Sequence, residues 1–154
     1  GLQGGPHNNV TAAKALMFFE SSQMEFKQYQ KQIVKNAKAL AGGLIKKGFR
    51  LVTGGTDIHL LLVDLRNLGL DGLAAERALE KNGIIANRNS IPGDTTPLKP
   101  SGLRIGTPAV TTRGMKEKEM EKISSLIYTA LIEKSDARPE VEKLCKSFPL
   151  KYKW

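Results

Sequence analysis

Apolar residues recur at helical spacing over the first third of the chain. Val10–Glu20 is an apolar, alanine-rich run, and Glu25–Lys47 carries apolar residues at i, i+3, i+4 and i+7, on one face of a helix. Gly48 follows at the position where glycine commonly ends a helix. The pattern predicts two consecutive helices, preceded by a polar, glycine-rich loop over residues 1–9.

The rest of the chain alternates short apolar runs with further helical ones. Four runs are typical of strands, namely FRLVTG, HLLLVDL, IIAN and Leu103–Ile105. Helices are predicted from Asp71 or Gly72 to Gly83, over Lys116–Glu133 and over Pro139–Lys146. The order, a helical arm and then β-β-α-β-β-α-α, predicts an α+β fold (an α/β sandwich) with helices on one face of a small sheet.

Composition narrows the class of protein without naming a function. The 154 residues suffice for one domain with an arm, and the 40% hydrophobic and 25% charged fractions are those of a water-soluble globule. No apolar run approaches the length of a membrane span, and the opening residues lack the pattern of a signal peptide. A single cysteine, Cys145, excludes an internal disulfide and a cysteine-based metal cluster, which favours a reducing compartment.

The net charge of +9 leaves two interpretations open. The lysines are spread along predicted helices and form a dense block only in the tail KYKW, which favours solvated helix faces. The alternative is a basic nucleic-acid-binding α+β module, with lysines and aromatic side chains on one face. The chain has nine aromatic residues, and several lie on predicted helices where packing explains them equally well.

Three segments could carry chemistry. Arg104 lies between two aliphatic residues in GLRIGTPAVTTRG, and successive side chains of a strand point to opposite faces, so Arg104 faces away from both. It is either a cation that binds a carboxylate or an edge-strand arginine that discourages aggregation. The loop GLQGGP precedes a helix and offers unobstructed backbone N–H groups for a phosphate, or is a plain turn. The loop Asn87–Gly102 is longer than a connection needs, as functional loops often are. His7 and His59 are each more typical of surface or core histidines than of catalytic ones.

Four segments in register resemble one enzyme family. GLQGGPHN, LVTGGTD-x-HLLLVDLR, N-x-NS-x-PGD and GLRIGTPA-x-TTRG occur in this order and span nearly the whole chain. Together they are similar to the C-terminal part of serine hydroxymethyltransferase, a pyridoxal-phosphate enzyme of one-carbon metabolism. That family has a large cofactor domain of the aspartate-aminotransferase type and a smaller C-terminal domain.

The resemblance implies a fold and a domain division. Residues 1–24 would be the exit from the large cofactor domain, residues 25–48 a connecting helix, and residues 49–154 the small C-terminal domain with a mostly antiparallel sheet. The intact enzyme would be a homodimer or homotetramer with no nucleic-acid or membrane partner. It would be cytoplasmic, or mitochondrial in organellar forms.

The resemblance also implies an activity and its residues. The family interconverts serine and tetrahydrofolate with glycine and 5,10-methylenetetrahydrofolate. Arg104 matches the arginine that binds the carboxylate of the amino-acid substrate. The remaining matches are Gly4 and Gly5 for the cofactor phosphate of a neighbouring subunit, and Asn89, Thr96, Pro97 and Leu98 for folate.

The sequence departs from the family pattern at positions that bear on the activity expected of these residues alone. The family's His-Lys-Thr motif, which carries the lysine that binds the cofactor covalently, does not occur in this chain. The resemblance therefore implies that these residues alone are inactive and that a longer polypeptide is the enzyme. Ile58 and Arg88 stand where the family usually has asparagine and lysine. A freestanding amino-acid-sensing domain that uses Arg104 as its anion anchor is a further alternative.

Overall fold

The computed structural model describes residues 1–2 and 4–150, so the KYKW tail lies outside the described residues. The α-helices of this part are α1 (Asn8–Ser22), α2 (Met24–Lys46), α3 (Gly72–Lys81), α4 (Pro108–Thr112), α5 (Glu117–Tyr128) and α6 (Arg138–Ser147). The strands are β1 (Arg50–Leu51), β2 (Leu60–Asp64), β3 (Asn87–Asn89) and β4 (Gly102–Gly106). This composition confirms the predicted α+β class.

The strands form one sheet in the order β1-β2-β4-β3, and all its neighbouring strands are antiparallel. β4 is therefore an interior strand, with β2 on one side and β3 on the other. In this register Arg104 lies opposite Leu62 of β2 and Asn87 of β3. A side chain on β4 thus has a neighbour on both sides.

One face of the sheet builds the core. Leu61 and Val63 of β2 alternate with residues that face away, as do Leu103 and Ile105 of β4, and all four are buried. α2 and α3 cover this face, and α5 packs against α2; all three turn inward the apolar sides that their spacing predicted. Their fully buried members include Leu40, Leu44, Leu79, Met120 and Ile127.

Buried polar groups fix α2 against the elements that follow β4. Asn36 is completely buried, and its Nδ2 donates to Thr111 Oγ1 at 2.8 Å and to the Met115 carbonyl at 2.9 Å. Thr107 donates its hydroxyl to the Ile33 carbonyl at 2.9 Å. Nearer the start of α2, the Tyr29 hydroxyl lies 2.7 Å from Thr112 Oγ1. These bonds hold α2 in one position on the domain.

Helix α1 stands apart from this core. None of its residues is buried, and Phe18 and Phe19 are 68% and 64% exposed. A single extended residue, Gln23, separates it from α2. α1 is apolar around much of its circumference, which is typical of a helix that is covered on several sides.

The structure also corrects the predicted elements. The strand expected in IIAN is wrong: β3 begins only at Asn87, and Ile85 is 78% exposed. FRLVTG contributes only two residues to β1. The predicted helix Lys116–Glu133 ends as an α-helix at Tyr128 and continues as a π-helical turn, Thr129–Glu133. α4 and the 3-10 turn Arg66–Leu68 were not predicted.

Candidate functional site

The face of the sheet opposite the helices carries the strongest candidate residue. Arg104 is exposed on this face and, within the described residues, its guanidinium makes no hydrogen bond or ion pair with another side chain. Because β4 is an interior strand, Arg104 does not protect a sheet edge, and the edge-strand alternative is wrong. A charged side chain in the middle of a sheet is positioned by strands on both sides.

The neighbours of Arg104 leave room beside its side chain. Along β4 the residues on the same face are Gly102 and Gly106, which have no side chains. Across the strands, the register places Leu62 and Asn87 on this face. The guanidinium therefore has an amide on one flank and an apolar side chain on the other, and the exposed Gly106 leaves one side of it open. A planar donor fork in such a setting suits a carboxylate.

Asn89 lies on the same face, two residues along β3 from Asn87. It is half-buried, and its Nδ2 donates to the Ser90 carbonyl at 2.7 Å. The structure thus brings the predicted folate residue Asn89 and the predicted substrate anchor Arg104 to one face of one sheet.

The loop Ser90–Ser101 folds back over this face. Ile91 is buried against Gly102, where the side chain of Ile91 leaves no space for a Cβ. The predicted folate residues Thr96, Pro97 and Leu98 lie in the middle of the loop, and Leu98 is 89% exposed. The loop therefore covers the sheet face at Gly102 and presents Pro97 and Leu98 to solvent.

The glycine loop at the start of the chain is a second, separate candidate. Gly4 and Gly5 are exposed and line an open cleft of about 810 Å³ with His7 and Lys14. Backbone N–H groups ahead of α1, together with a lysine, suit an anion. No hydrogen bond in the described part of the chain joins this loop to β4 or to Ser90–Ser101. The structure does not bring Gly4 and Gly5 together with Arg104 in one site.

Sequence reasoning missed a charged cluster at the end of β2. The buried Asp64 carboxylate accepts hydrogen bonds from Arg66 Nε and Nη2 at 3.0 and 2.8 Å, and from Arg50 Nε at 2.9 Å. The bond from Arg66 is the main reason that the pKa of Asp64 lies far below its usual range, although burial acts in the opposite direction. A polar residue ending an apolar run, in VDLR, was the available signal.

Two kinds of site have no support in the described residues. No helix among residues 1–2 and 4–150 combines the length and the apolar character needed to cross a membrane. In the same part of the chain, no three His, Cys, Asp or Glu side chains are grouped for a metal ion.

An exposed arginine that pairs with no other side chain among the described residues lies on an open sheet face beside a long folded loop, so the fold is an α+β domain with a candidate site for a small anion. A comparison with known families gives the family of the chain. The family model of serine hydroxymethyltransferase matches residues 1–127, which is well over half of the chain. The chain therefore belongs to the serine hydroxymethyltransferase family.

Proposed function

We propose that the enzyme containing this chain interconverts serine and tetrahydrofolate with glycine and 5,10-methylenetetrahydrofolate. In this proposal residues 49–154 are its small domain, residues 25–48 the connecting helix and residues 1–24 part of the large cofactor domain. The observation that carries the proposal is the exposed Arg104 on an interior strand, which pairs with no other side chain in the part of the chain that the structure describes. The family of the chain supports the same reading.

Arg104 binds the carboxylate of serine or glycine in this proposal. Two parallel N–H donors orient the amino acid, and the exposed Gly106, which has no side chain, allows the carboxylate to approach the strand from that side. Lysine could not replace it, because an ammonium lacks the planar fork. The role of Arg104 is therefore to bind and orient the substrate.

The residues present also fit one part of pyridoxal phosphate. The backbone N–H groups around Gly4 and Gly5 are exposed at the start of α1, with Lys14 nearby, so they could hold a phosphate. When bound, the cofactor supplies the electron sink that amino-acid chemistry at the α-carbon needs. Since Gly4 and Gly5 are not joined to Arg104, we infer that they serve a different subunit's site in a homodimer or homotetramer.

Folate would bind beside the amino acid. Asn89 shares the face of Arg104, and the loop that carries Thr96, Pro97 and Leu98 covers the same face at Gly102. The exposed Leu98 offers apolar surface, and Asn89 offers an amide that can donate and accept. Such a pairing of apolar surface with a few polar groups is typical of cosubstrate sites.

The test is the amino-acid affinity of a full-length enzyme that carries this sequence. Arg104→Ala should weaken glycine and serine binding by roughly 3–5 kcal/mol, more than a hundredfold, because the carboxylate loses both donors. Arg104→Lys should recover only part of this loss.

Arg77→Ala is the matched control, because Arg77 is also exposed but lies on α3. It should leave both affinities within about twofold of wild type, a range that corresponds to about 0.4 kcal/mol. If Arg104→Ala binds glycine and serine as tightly as wild type, Arg104 does not bind the substrate and the proposed function loses its main support.

A further inference from the structure

Asp94 joins the two ends of the loop Ser90–Ser101. Its Oδ2 accepts the backbone N–H of Ile91 at 3.0 Å and that of Ser101 at 2.9 Å. One of these donors follows β3 and the other precedes β4, and the two strands are already paired through Asn89 and Gly102. A single carboxylate oxygen therefore closes the base of the loop.

The two ends that Asp94 joins are themselves fixed to the domain. Ile91 is buried over Gly102. The Ser101 carbonyl accepts the N–H of Leu65 at 3.0 Å, and the neighbouring Pro100 carbonyl accepts the N–H of Gly72 at 3.1 Å. Asp94 thus sits between anchored residues.

Arg66, just after β2, lies close to the loop at Gly93 and Asp94. Its guanidinium is held by Asp64, and its Nη1 lies 3.0 Å from the place where a Cβ of residue 93 would stand. Gly93 also has a φ of +93°, so both the close approach of Arg66 and the backbone conformation favour glycine at this position. The hydroxyl and the N–H of Ser101 are the largest causes that lower the pKa of Asp94, followed by the N–H of Ile91, and the positive charge of Arg66 makes a smaller contribution in the same direction.

The middle of the loop lacks comparable support. Its internal bonds are those of Leu98 N–H to Thr96 Oγ1 and Lys99 N–H to the Thr96 carbonyl, both at 3.3 Å. Pro97, Leu98 and Lys99 are exposed. The position of Thr96–Leu98 is therefore set mainly by the base of the loop.

We propose that Asp94 is a positioning residue for the folate cosubstrate, since it closes the base of the loop whose middle contacts folate. The folate role rests on the proposed function, whereas the closure itself does not. Asp94 would act through the loop and would not touch the reacting atoms.

Three variants separate closure of the loop base by Asp94 from effects of its charge and from effects of any substitution in the loop. Asp94→Ala removes the shared acceptor, and Asp94→Asn keeps an amide oxygen in the same place but loses the charge. Thr95→Ala changes the next residue, which is exposed and makes no side-chain hydrogen bond within the described residues. It is the matched control.

The first measurement is amide hydrogen exchange at Ile91 and Ser101 in this chain, which requires no activity. Asp94→Ala should speed exchange at both amides at least tenfold, since both lose their acceptor, while Asp94→Asn should stay within about threefold of wild type. Unchanged exchange in Asp94→Ala would show that the carboxylate does not close the loop and would overturn the proposal.

The second measurement is the KM for tetrahydrofolate in a full-length enzyme that carries this sequence. Asp94→Ala should raise this KM about tenfold and leave the glycine affinity unchanged. Asp94→Asn should have a KM much closer to the wild-type value, and Thr95→Ala should match wild type. Faster exchange with an unaltered folate KM would overturn the positioning role and leave the proposed function intact. A wild-type enzyme without folate-dependent turnover would instead refute the proposed function. If Asp94→Ala does not fold, Asp94→Leu, which also removes the acceptor, takes its place with the same expected and contrary results.

Discussion

Arg88 and Arg104 lie on neighbouring strands, one residue apart in register, and their surroundings differ completely. Arg88 faces the helices and pairs with Glu76 of α3, whereas Arg104 faces the open side and stays unpaired among the described residues. Successive side chains along β3 and β4 point to opposite faces of the sheet, and this is sufficient to cause the difference. The sequence predicted Arg104 as a candidate anchor, but it could not exclude an edge position, because strand order is not visible in hydrophobic spacing.

Asp64 supports a prediction about acid stability. Its folded pKa is well below that of a free aspartate, first because of Arg66, so its ion pairs stabilise the fold above about pH 4 and lose this contribution as the pH falls further. Asp64→Asn should lower the free energy of unfolding at pH 7 by roughly 1–3 kcal/mol, since it removes the charge that two arginines share.

Urea unfolding at pH 7 and pH 3 measures this contribution. The difference between wild type and Asp64→Asn should be large at pH 7 and smaller at pH 3. Asp57→Asn is the control, because Asp57 pairs with Lys38 on the surface, where ion pairs contribute little. An equal difference between wild type and Asp64→Asn at both pH values would contradict this account.

At the scale of elements, periodicity predicted helices far better than strands. α1, α2, α3 and α6 begin and end within about two residues of the predicted positions, a usual boundary error. β3 was misplaced because Ile84 and Ala86 pack against the core without a strand partner, while the polar residues Asn87–Asn89 pair with β4. The position of β3 is set by backbone hydrogen bonds to β4, and its residues are polar, so the apolar pattern did not indicate it.

The exposed side chains of α1 predict self-association of this chain. Leu16, Met17, Phe18 and Phe19 form a continuous apolar stretch that the rest of the described chain leaves uncovered. Burial of such side chains is favourable by about 25 cal/mol per Å², so copies should associate through α1 at high concentration.

Sedimentation velocity over a concentration series tests this association. Phe18→Asp combined with Phe19→Ser should shift the chain toward monomer, because a charge and a hydroxyl disfavour burial. Ile85→Ser is the control, since it removes one isolated exposed apolar side chain elsewhere. A wild-type chain that stays monomeric at every concentration would show that α1 is not an association surface under these conditions.

At the scale of the whole molecule, the family could be predicted from sequence because four segments keep their order and spacing. The site could be predicted only in part. Arg104 and Asn89 share a face, as a common site requires. Asp64 pairs with the nearby Arg66, which VDLR signalled, but its pairing with Arg50 depends on the register of β1 and β2, and Asp94 binds backbone N–H groups, which no residue pattern displays. Gly4 and Gly5 belong to a separate region of the chain.

The absence of one family motif from this sequence leads to a prediction about the cofactor. The His-Lys-Thr motif is absent from this sequence, so residues 1–154 alone should not hold pyridoxal phosphate covalently and should be inactive. Incubation with the cofactor, borohydride reduction and peptide mapping should find no single labelled lysine, with a full-length enzyme as the positive control. Stoichiometric labelling of one lysine in this chain would prove the expectation wrong.

The connection between α1 and α2 has a mechanical consequence. Gln23 is the only residue between the two helices, so the direction of α1 relative to α2 depends on the backbone torsions at this residue and on the hydrogen bond that Gln23 Nε2 donates to the Phe19 carbonyl at 2.9 Å. Since Asn36, Thr107 and Tyr29 fix α2, Gln23 is the hinge at which α1 can turn. α1 is about 22 Å long, so a rotation of roughly 5° at Gln23 would carry its far end through about 2 Å. A substitution at Gln23 that leaves the core intact would therefore move the glycine loop at the far end of α1.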